Sequence, residues 1–254
     1  MSDEDYHSGI DRITSSGLKL LLKKSPAHYY EQYMGGKSEP TAAMQYGIAG
    51  HALILEGDEV FNSLAAIKPE GMDGRTKEGK AFREDSIGKL VLSKAEVDEM
   101  YSFKKKLLAA PEYGPLMFNG SGVTEHVVEW RDAISGALAK CKPDWMAKDG
   151  SLIIDLKMMA DADPNNFKRS VYRYGYHISA AMYVEGVAAQ YGGAAPDFIW
   201  AVCEKGSGDI AFYKASDEMM SEGHDKVGRG FSIFAGCTRT KHWPGYSTSL
   251  VEIG

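Results

Sequence analysis

Residues 137–157 carry the pattern that most restricts what this chain can become. Ala137 to Met146 and Ser151 to Lys157 read as strands, and Lys148-Asp149-Gly150 is the turn between them. In Ile153-Ile154-Asp155-Leu156-Lys157 the side chains alternate, so Asp155 and Lys157 share one face, about 7 Å apart, while Ile154 and Leu156 point the other way. Pro143 cannot donate to a sheet ladder, so the first strand should break or lie at an edge there, which aims Asp144 across the hairpin toward Asp155.

Two converging carboxylates beside a lysine make a place for a hard divalent cation. Aspartate oxygens suit Mg²⁺, which keeps water ligands and accepts a phosphate oxygen. A bound cation lowers the pKa of its water and stabilises charge on a phosphoryl transition state. For Lys157 three roles stay open: positioning the water, deprotonating it, or neutralising the phosphate. The triplet is short, and in an arbitrary chain the same residues form an exposed acid and base pair on a surface hairpin. The apolar Leu-Ile-Ile run that delivers the charges, and a long helical pattern after it, raise the chemical reading.

The flanking patterns predict a sheet with helices around it, an α/β or α+β arrangement. A hydroxyl cap at Thr14 or Ser15 opens a helix to about Tyr33, stopped by Gly35-Gly36. A second runs from Ala42 to Leu55, with Ile48, Ala52 and Leu55 on one side and His51 beside them. Residues 68–79 are rich in glycine and charge and form an exposed loop carrying Arg75 and Lys77. Helices follow at about Gly79 to Ile87 and Lys94 to Ala110, the latter with Ser93 and Glu96 as a capping box and Pro111 as its stop. Strands are expected over Gly122 to Arg131, in DFIWAVCE and in DIAFYKA, and helices over Asn165 to Gln190 and from Asp217 to about Phe234.

With 254 residues, 44% of them hydrophobic, the chain suffices for one domain spanning 1–254. No window approaches the ~18 consecutive apolar residues of a membrane span, and the acidic opening MSDEDYHSG lacks the character of a signal peptide, so a cytoplasmic protein is expected. Cys141, Cys203 and Cys237 are too few and too scattered for a disulfide framework or a four-cysteine cluster, which argues against an iron-sulfur nuclease. The formal net charge of -6 argues at first sight against DNA as a partner. Basic residues gather, however, at Lys23-Lys24, Arg75 to Arg83, Lys104 to Lys106 and Lys168 to Arg173, and a fold that brings several runs together makes a groove.

An ordered series of motifs resembles the RecE-type exonucleases, relatives of phage lambda exonuclease within the PD-(D/E)xK nucleases. The series comprises Asp5 to Gly9, Ser-Pro-Ala-x-Tyr around Pro26, Gly47-x-x-x-His51, Leu55-Glu56 and Arg75-Thr76 with Gly79-Lys80. It continues through Glu125, Cys141-Lys142-Pro143-Asp144, Asp155-Leu156-Lys157, Tyr176-His177, Tyr183 and Trp243-Pro244.

The resemblance implies a restriction-endonuclease-like core with a central mixed sheet flanked by helices. It implies a 5′-to-3′ exonuclease on double-stranded DNA ends, working with a single-strand annealing protein and assembled as a trimeric or tetrameric ring. It implies Mg²⁺, as one or two ions with Mn²⁺ as a substitute. Asp144, Asp155, Lys157 and Glu125 would be catalytic. His51, Asp144, Asp155, Glu125 and the Leu156 carbonyl would hold metal, and Arg75, Lys77, Lys80, Ser15, Ser16, Ser179 and Tyr183 would meet DNA.

Plainer readings stand beside these assignments. His51 suits a hydrogen-bonded core histidine, Ser15 and Ser16 suit an ordinary helix cap, Arg75 suits a solvated loop and Tyr183 suits the core. Two departures favour an alternative, a DNA-end-binding module with impaired chemistry. Met158-Met159 stands where the family has threonines, and Ser179, four residues before Tyr183, stands where it has glutamine, whose amide both donates and accepts.

Overall fold

The computed structural model describes residues 11–34, 41–250 and 252. The expected features at Asp5 to Gly9 and Gly35-Gly36 lie outside these residues.

A five-stranded mixed sheet forms the centre. Its strands are β3 (Gly122–Thr124), β6 (Trp145–Ala147), β7 (Leu152–Met159), β8 (Asp197–Glu204) and β9 (Ile210–Lys214), hydrogen-bonded in that order. β7 and β8 are parallel and the other pairs antiparallel. Period-two alternation sorts β7 into two apolar faces. Ile153 packs with Trp200, Val202, Ala180 and Val184, while Ile154 and Leu156 pack with Ile199, Ala201, Phe103 and Leu107.

Helices cover both faces. On one side lie α8 (Pro164–Tyr174), α9 (Tyr176–Tyr191) and α10 (Asp217–Thr240); on the other lies α6 (Lys94–Ala109), with the short α7 (Gly114–Phe118) after it. The expected capping box of α6 is present, since the Ser93 hydroxyl accepts from the Glu96 N–H and the Glu96 carboxylate from the Ser93 N–H.

Two of the expected strands are each cut in two. The run 122–131 becomes β3 in the central sheet and β4 (Val128–Arg131) in a separate pair, and 137–146 becomes β5 (Leu138–Cys141) in that pair and β6 in the central sheet. The long hairpin therefore forks between two sheets, and the residues at the fork are Glu125 and Lys142-Pro143-Asp144. Pro143 breaks its strand as read from the sequence; the break at Glu125, whose φ is 51°, had no proline or glycine to signal it.

Helix breaks account for other departures. The first expected helix is α1 (Ser15–Lys23) and α2 (Pro26–Met34), because the residue before a proline is pushed out of the helical region. The 165–190 helix is α8 and α9, divided at Gly175, whose φ is 67°. The expected 42–55 helix is α3 (Ala42–His51) followed by a wider π turn over Ala52–Glu56. Ile48 points to solvent, and Tyr46, Ala49, Leu53 and Ile54 are buried instead. The sequence reading passed over α4 (Asp58–Leu64), followed by β1 (Ala65–Lys68), and β2 (Leu90–Ser93), which pairs with β1 in parallel. Between β1 and β2, α5 (Lys77–Asp85) is capped by Thr76 and begins earlier than expected.

The turn that closes β6 onto β7 needs Gly150. Its φ is 73°, and a Cβ there would stand 2.6 Å from Cγ of Tyr191. Gly150→Ala should destabilise the protein by about 1 to 3 kcal/mol in urea titration, with an unchanged slope. A loss below about 0.5 kcal/mol would show that neither the backbone nor the Tyr191 ring constrains this turn.

Candidate active site

The register of β6 against β7 pairs Trp145 with Ile154 and Met146 with Ile153, so continuing it sets Pro143 opposite Leu156. Proline has no N–H for the Leu156 carbonyl, and the strand bends away at that point. Both backbone groups of Leu156 on this edge are satisfied by side chains instead. Its N–H donates to Oδ2 of Asp144 at 2.7 Å, and its carbonyl accepts from Nε2 of His51 at 3.0 Å. The Leu156 side chain is fully buried, which holds this backbone segment rigid.

The bond to a carbonyl fixes the His51 tautomer, because Nε2 must carry the hydrogen. Burial, then the charge of Lys157, lowers the His51 pKa, so the ring is neutral and Nδ1 keeps its lone pair. That nitrogen lies 3.5 Å from Oδ1 of Asp144. Glu125 completes the group: donor atoms of His51, Glu125 and Asp144 all lie within 4.8 Å of one another. The left-handed backbone at Glu125 turns its carboxylate toward this point, and its N–H donates to the Asp144 carbonyl at 3.1 Å. Lys142 pairs with Glu125 at 2.5 Å. Two carboxylate oxygens and one neutral imidazole nitrogen converging at this distance fit a divalent cation.

Asp155 and Lys157 leave the strand on the same side, as alternation required, and form an ion pair with each other. Burial alone would lower the Lys157 ammonium, but Asp155 and Asp144 more than offset it and hold its pKa above the usual lysine value. The ammonium also lies 5.1 Å from the centre of the Tyr176 ring. Asp155 and the Leu156 carbonyl, both expected as metal ligands, are thus engaged by Lys157 and His51. The converging set consists of His51, Glu125 and Asp144.

Ser15 and Ser179 also come together, at 2.7 Å between their hydroxyls, and Lys19 donates to Ser179 at 3.0 Å. Thr14 is the cap of α1, its hydroxyl accepting from the Gly17 N–H, so the serines are not. Ser16 is exposed and Ser15 buried. Arg75, Lys77 and Lys80 are exposed on the loop and α5, and among the described residues no hydrogen bond or ion pair joins them to the residues above. Tyr183 is half-buried and packs against Phe198 at the core. Met158 packs against Gly50, and Met159 accepts from the Tyr176 hydroxyl, so the residues in place of threonines fill space beside the site.

A family described as PDDEXK-like domain of unknown function (DUF3799) matches residues 14–251. The chain belongs to this family. No curated protein matches the sequence. Among solved structures, the Eubacterium rectale protein named "Putative exonuclease" superposes with a TM-score of 0.62 at 20% identity, over 98% of this chain and 96% of its own. LHK-Exo in complex with dAMP gives a TM-score of 0.41 at 11% identity, over 94% and 97% of the two chains. A phage related exonuclease from Haemophilus somnus 129PT gives 0.37 at 10%, over 91% and 96%. The PD-(D/E)xK fold and the mixed sheet implied by the motif series are therefore present.

Three residues of this DUF3799 domain's site carried no role in the sequence reading. Lys142 stands inside a quoted motif, yet its pairing with Glu125 depends on the fork. Tyr176 was likewise quoted, and its ring reaches Lys157 only because α9 begins there. Lys19 had one signal: Ser15 and Lys19 are four apart and share a helix face. Burial, then the charge of Lys157, pushes the Lys19 pKa down to about 8.

Burial, then the charge of Asp155, pushes the Asp144 carboxyl up from 3.8 to about 7. The fold therefore holds a proton that the unfolded chain has lost, and this group's contribution to stability falls as pH rises through that interval. A cation bound by the carboxylate must displace the proton. The increase in Tm produced by a fixed Mg²⁺ concentration should accordingly grow between about pH 6 and 8. A shift independent of pH over that range would exclude Asp144 as a ligand that deprotonates on binding.

Proposed function

We propose that the protein is a metal-dependent exodeoxyribonuclease that hydrolyses phosphodiester bonds from the 5′ ends of linear double-stranded DNA. The observation that carries this reading is the arrangement around Leu156: three donors on one side of the strand edge, and an acid-held lysine on the strand face. Family membership supports phosphodiester chemistry. The motif series supports a 5′-to-3′ end-directed enzyme that forms a ring and works beside a single-strand annealing protein in recombination.

His51, Glu125 and Asp144 would hold the ion, with Asp155 beside them paired to Lys157. A bound Mg²⁺ supplies Lewis acidity and a water of lowered pKa. The chain's own residues supply position and charge. The Leu156 N–H holds Asp144 in place, the Leu156 carbonyl holds His51, and Lys142 holds Glu125. The pairing of Lys157 with Asp155 favours the charged ammonium, so Lys157 serves to neutralise the phosphate and orient the water. Of the three roles open at the outset, deprotonation suits a cationic lysine least. Water adds to phosphorus, the bond to the leaving oxygen breaks, and that oxygen takes a proton.

Release of acid-soluble nucleotides from end-labelled linear duplex DNA tests the reading. Digestion should require Mg²⁺ or Mn²⁺, stop in EDTA, proceed from 5′ ends and spare closed circles. Lys157→Ala should lower the rate by about 10³-fold or more while DNA binding persists. Equal cutting of circular and linear DNA would overturn the end-directed part. Binding to ends without nucleotide release, with either metal, would favour the chemically impaired module.

A further inference from the structure

Basic residues that are far apart in the sequence meet at a second place. Lys23, at the end of α1, and Arg173, near the end of α8, line one groove of about 470 Å³ with Lys19, Lys226 and Arg229. No carboxylate lines it, although the chain as a whole carries a net charge of -6. Lys226 is paired with Glu222 at 2.6 Å. Lys23, Arg173 and Arg229 form no ion pair with a described residue. Tyr172 and Tyr174 stand in the same wall, and the Arg173 guanidinium lies 5.5 Å from the Tyr174 ring centre. Cations spaced along a groove with flat rings between them suit a phosphodiester strand, whose charges repeat and whose bases stack.

Lys19 connects this groove to the site. It lines the groove and is half-buried, yet the partner of its ammonium is the neutral Ser179 hydroxyl, itself held by Ser15. Gly175 makes the approach possible, since a Cβ there would stand 3.0 Å from Cδ of Lys19. Lys157 and Asp155 are near enough for their charges to act on it. An ammonium withdrawn from water with no carboxylate hydrogen-bonded to it is costly, and an anion seated between it and Lys157 relieves that cost.

We propose, resting on the nuclease reading above, that Lys19 contacts a phosphate of the strand being cut, and that the Lys23, Arg173 and Arg229 groove takes the phosphates next to it. Ser179 is too short to reach that phosphate as a glutamine would, and it serves to seat the lysine that does. Lys19 is then a substrate-contact residue on a helix that carries none of the metal-site donors.

The test measures duplex oligonucleotide binding by fluorescence anisotropy over a range of salt, in the uncut background of Lys157→Ala, with and without Lys19→Met. Loss of one phosphate contact should reduce the log–log salt slope by about 0.9, and Lys19→Arg should restore it. With Lys157 intact, Lys19→Met should cut at least about 10-fold more slowly in single turnovers, at an unchanged Tm. Arg229→Ala and Lys23→Ala, at exposed positions, should each lower the slope as well, and they decide the question if Lys19→Met fails to fold. Wild-type slopes in both exposed variants would overturn the groove, and a wild-type slope and rate in folded Lys19→Met would overturn the lysine's role. If the wild type releases no nucleotide while the slopes still fall, the nuclease reading fails and the strand path stands. If the wild type digests DNA and the slopes are unmoved, only the strand path fails.

Discussion

The hydrogen bond from the Leu156 N–H to Asp144 is the interaction on which the site's construction depends. It exists because the neighbouring strand presents a proline where the ladder would have continued. A strand edge released in the interior of a protein must find other partners, since an unpaired buried amide or carbonyl costs about 1 to 3 kcal/mol. Here the partners are the side chains of Asp144 and His51, and the demand of the backbone for hydrogen bonds is what orients them. His51 is held in one tautomer by the same requirement. The arrangement needs no loop and no large movement: a secondary-structure defect, placed beside a fully buried leucine, presents chemistry from the middle of a sheet.

The charges of the site balance in two compartments that share Asp144. On one side carboxylates crowd together and are pushed toward their neutral forms by burial. On the other, Lys157 is kept cationic by Asp155 and Asp144. Lys142 tempers the crowding at Glu125, where burial and the Asp144 charge raise the carboxyl and the ammonium lowers it. Removing any one charge therefore shifts the protonation of the others, and single substitutions here will not act independently.

The parts of the fold and site that were legible in the sequence are those set by local rules. Pro143 announces a broken ladder, alternation puts Asp155 and Lys157 on one face, and Ser93 with Glu96 announces a helix start. Breaks at Pro26 and Gly175 were missed because apolar periodicity runs on across them, although each carries a residue capable of ending a helix. The outward face of Ile48 was misread because a π turn follows directly and rotates the apolar stripe. The break at Glu125 gave no local sign, since valines on either side continue a plain strand alternation. Lys19 meets Ser179 across 160 positions, a contact that no window of sequence contains.

Glu125 also sets two demands against each other. A glutamate in the left-handed region costs on the order of 1 to 3 kcal/mol, a strain that glycine would not carry. Backbone strain alone would favour that exchange, and what the glutamate adds in return is a carboxylate placed beside Lys142, His51 and Asp144. The same position is where the hairpin passes from one sheet to the other. A glycine here would leave the fork in place and withdraw one of the three converging oxygen and nitrogen donors. In this molecule the strained residue thus marks the boundary between what architecture requires and what chemistry adds to it.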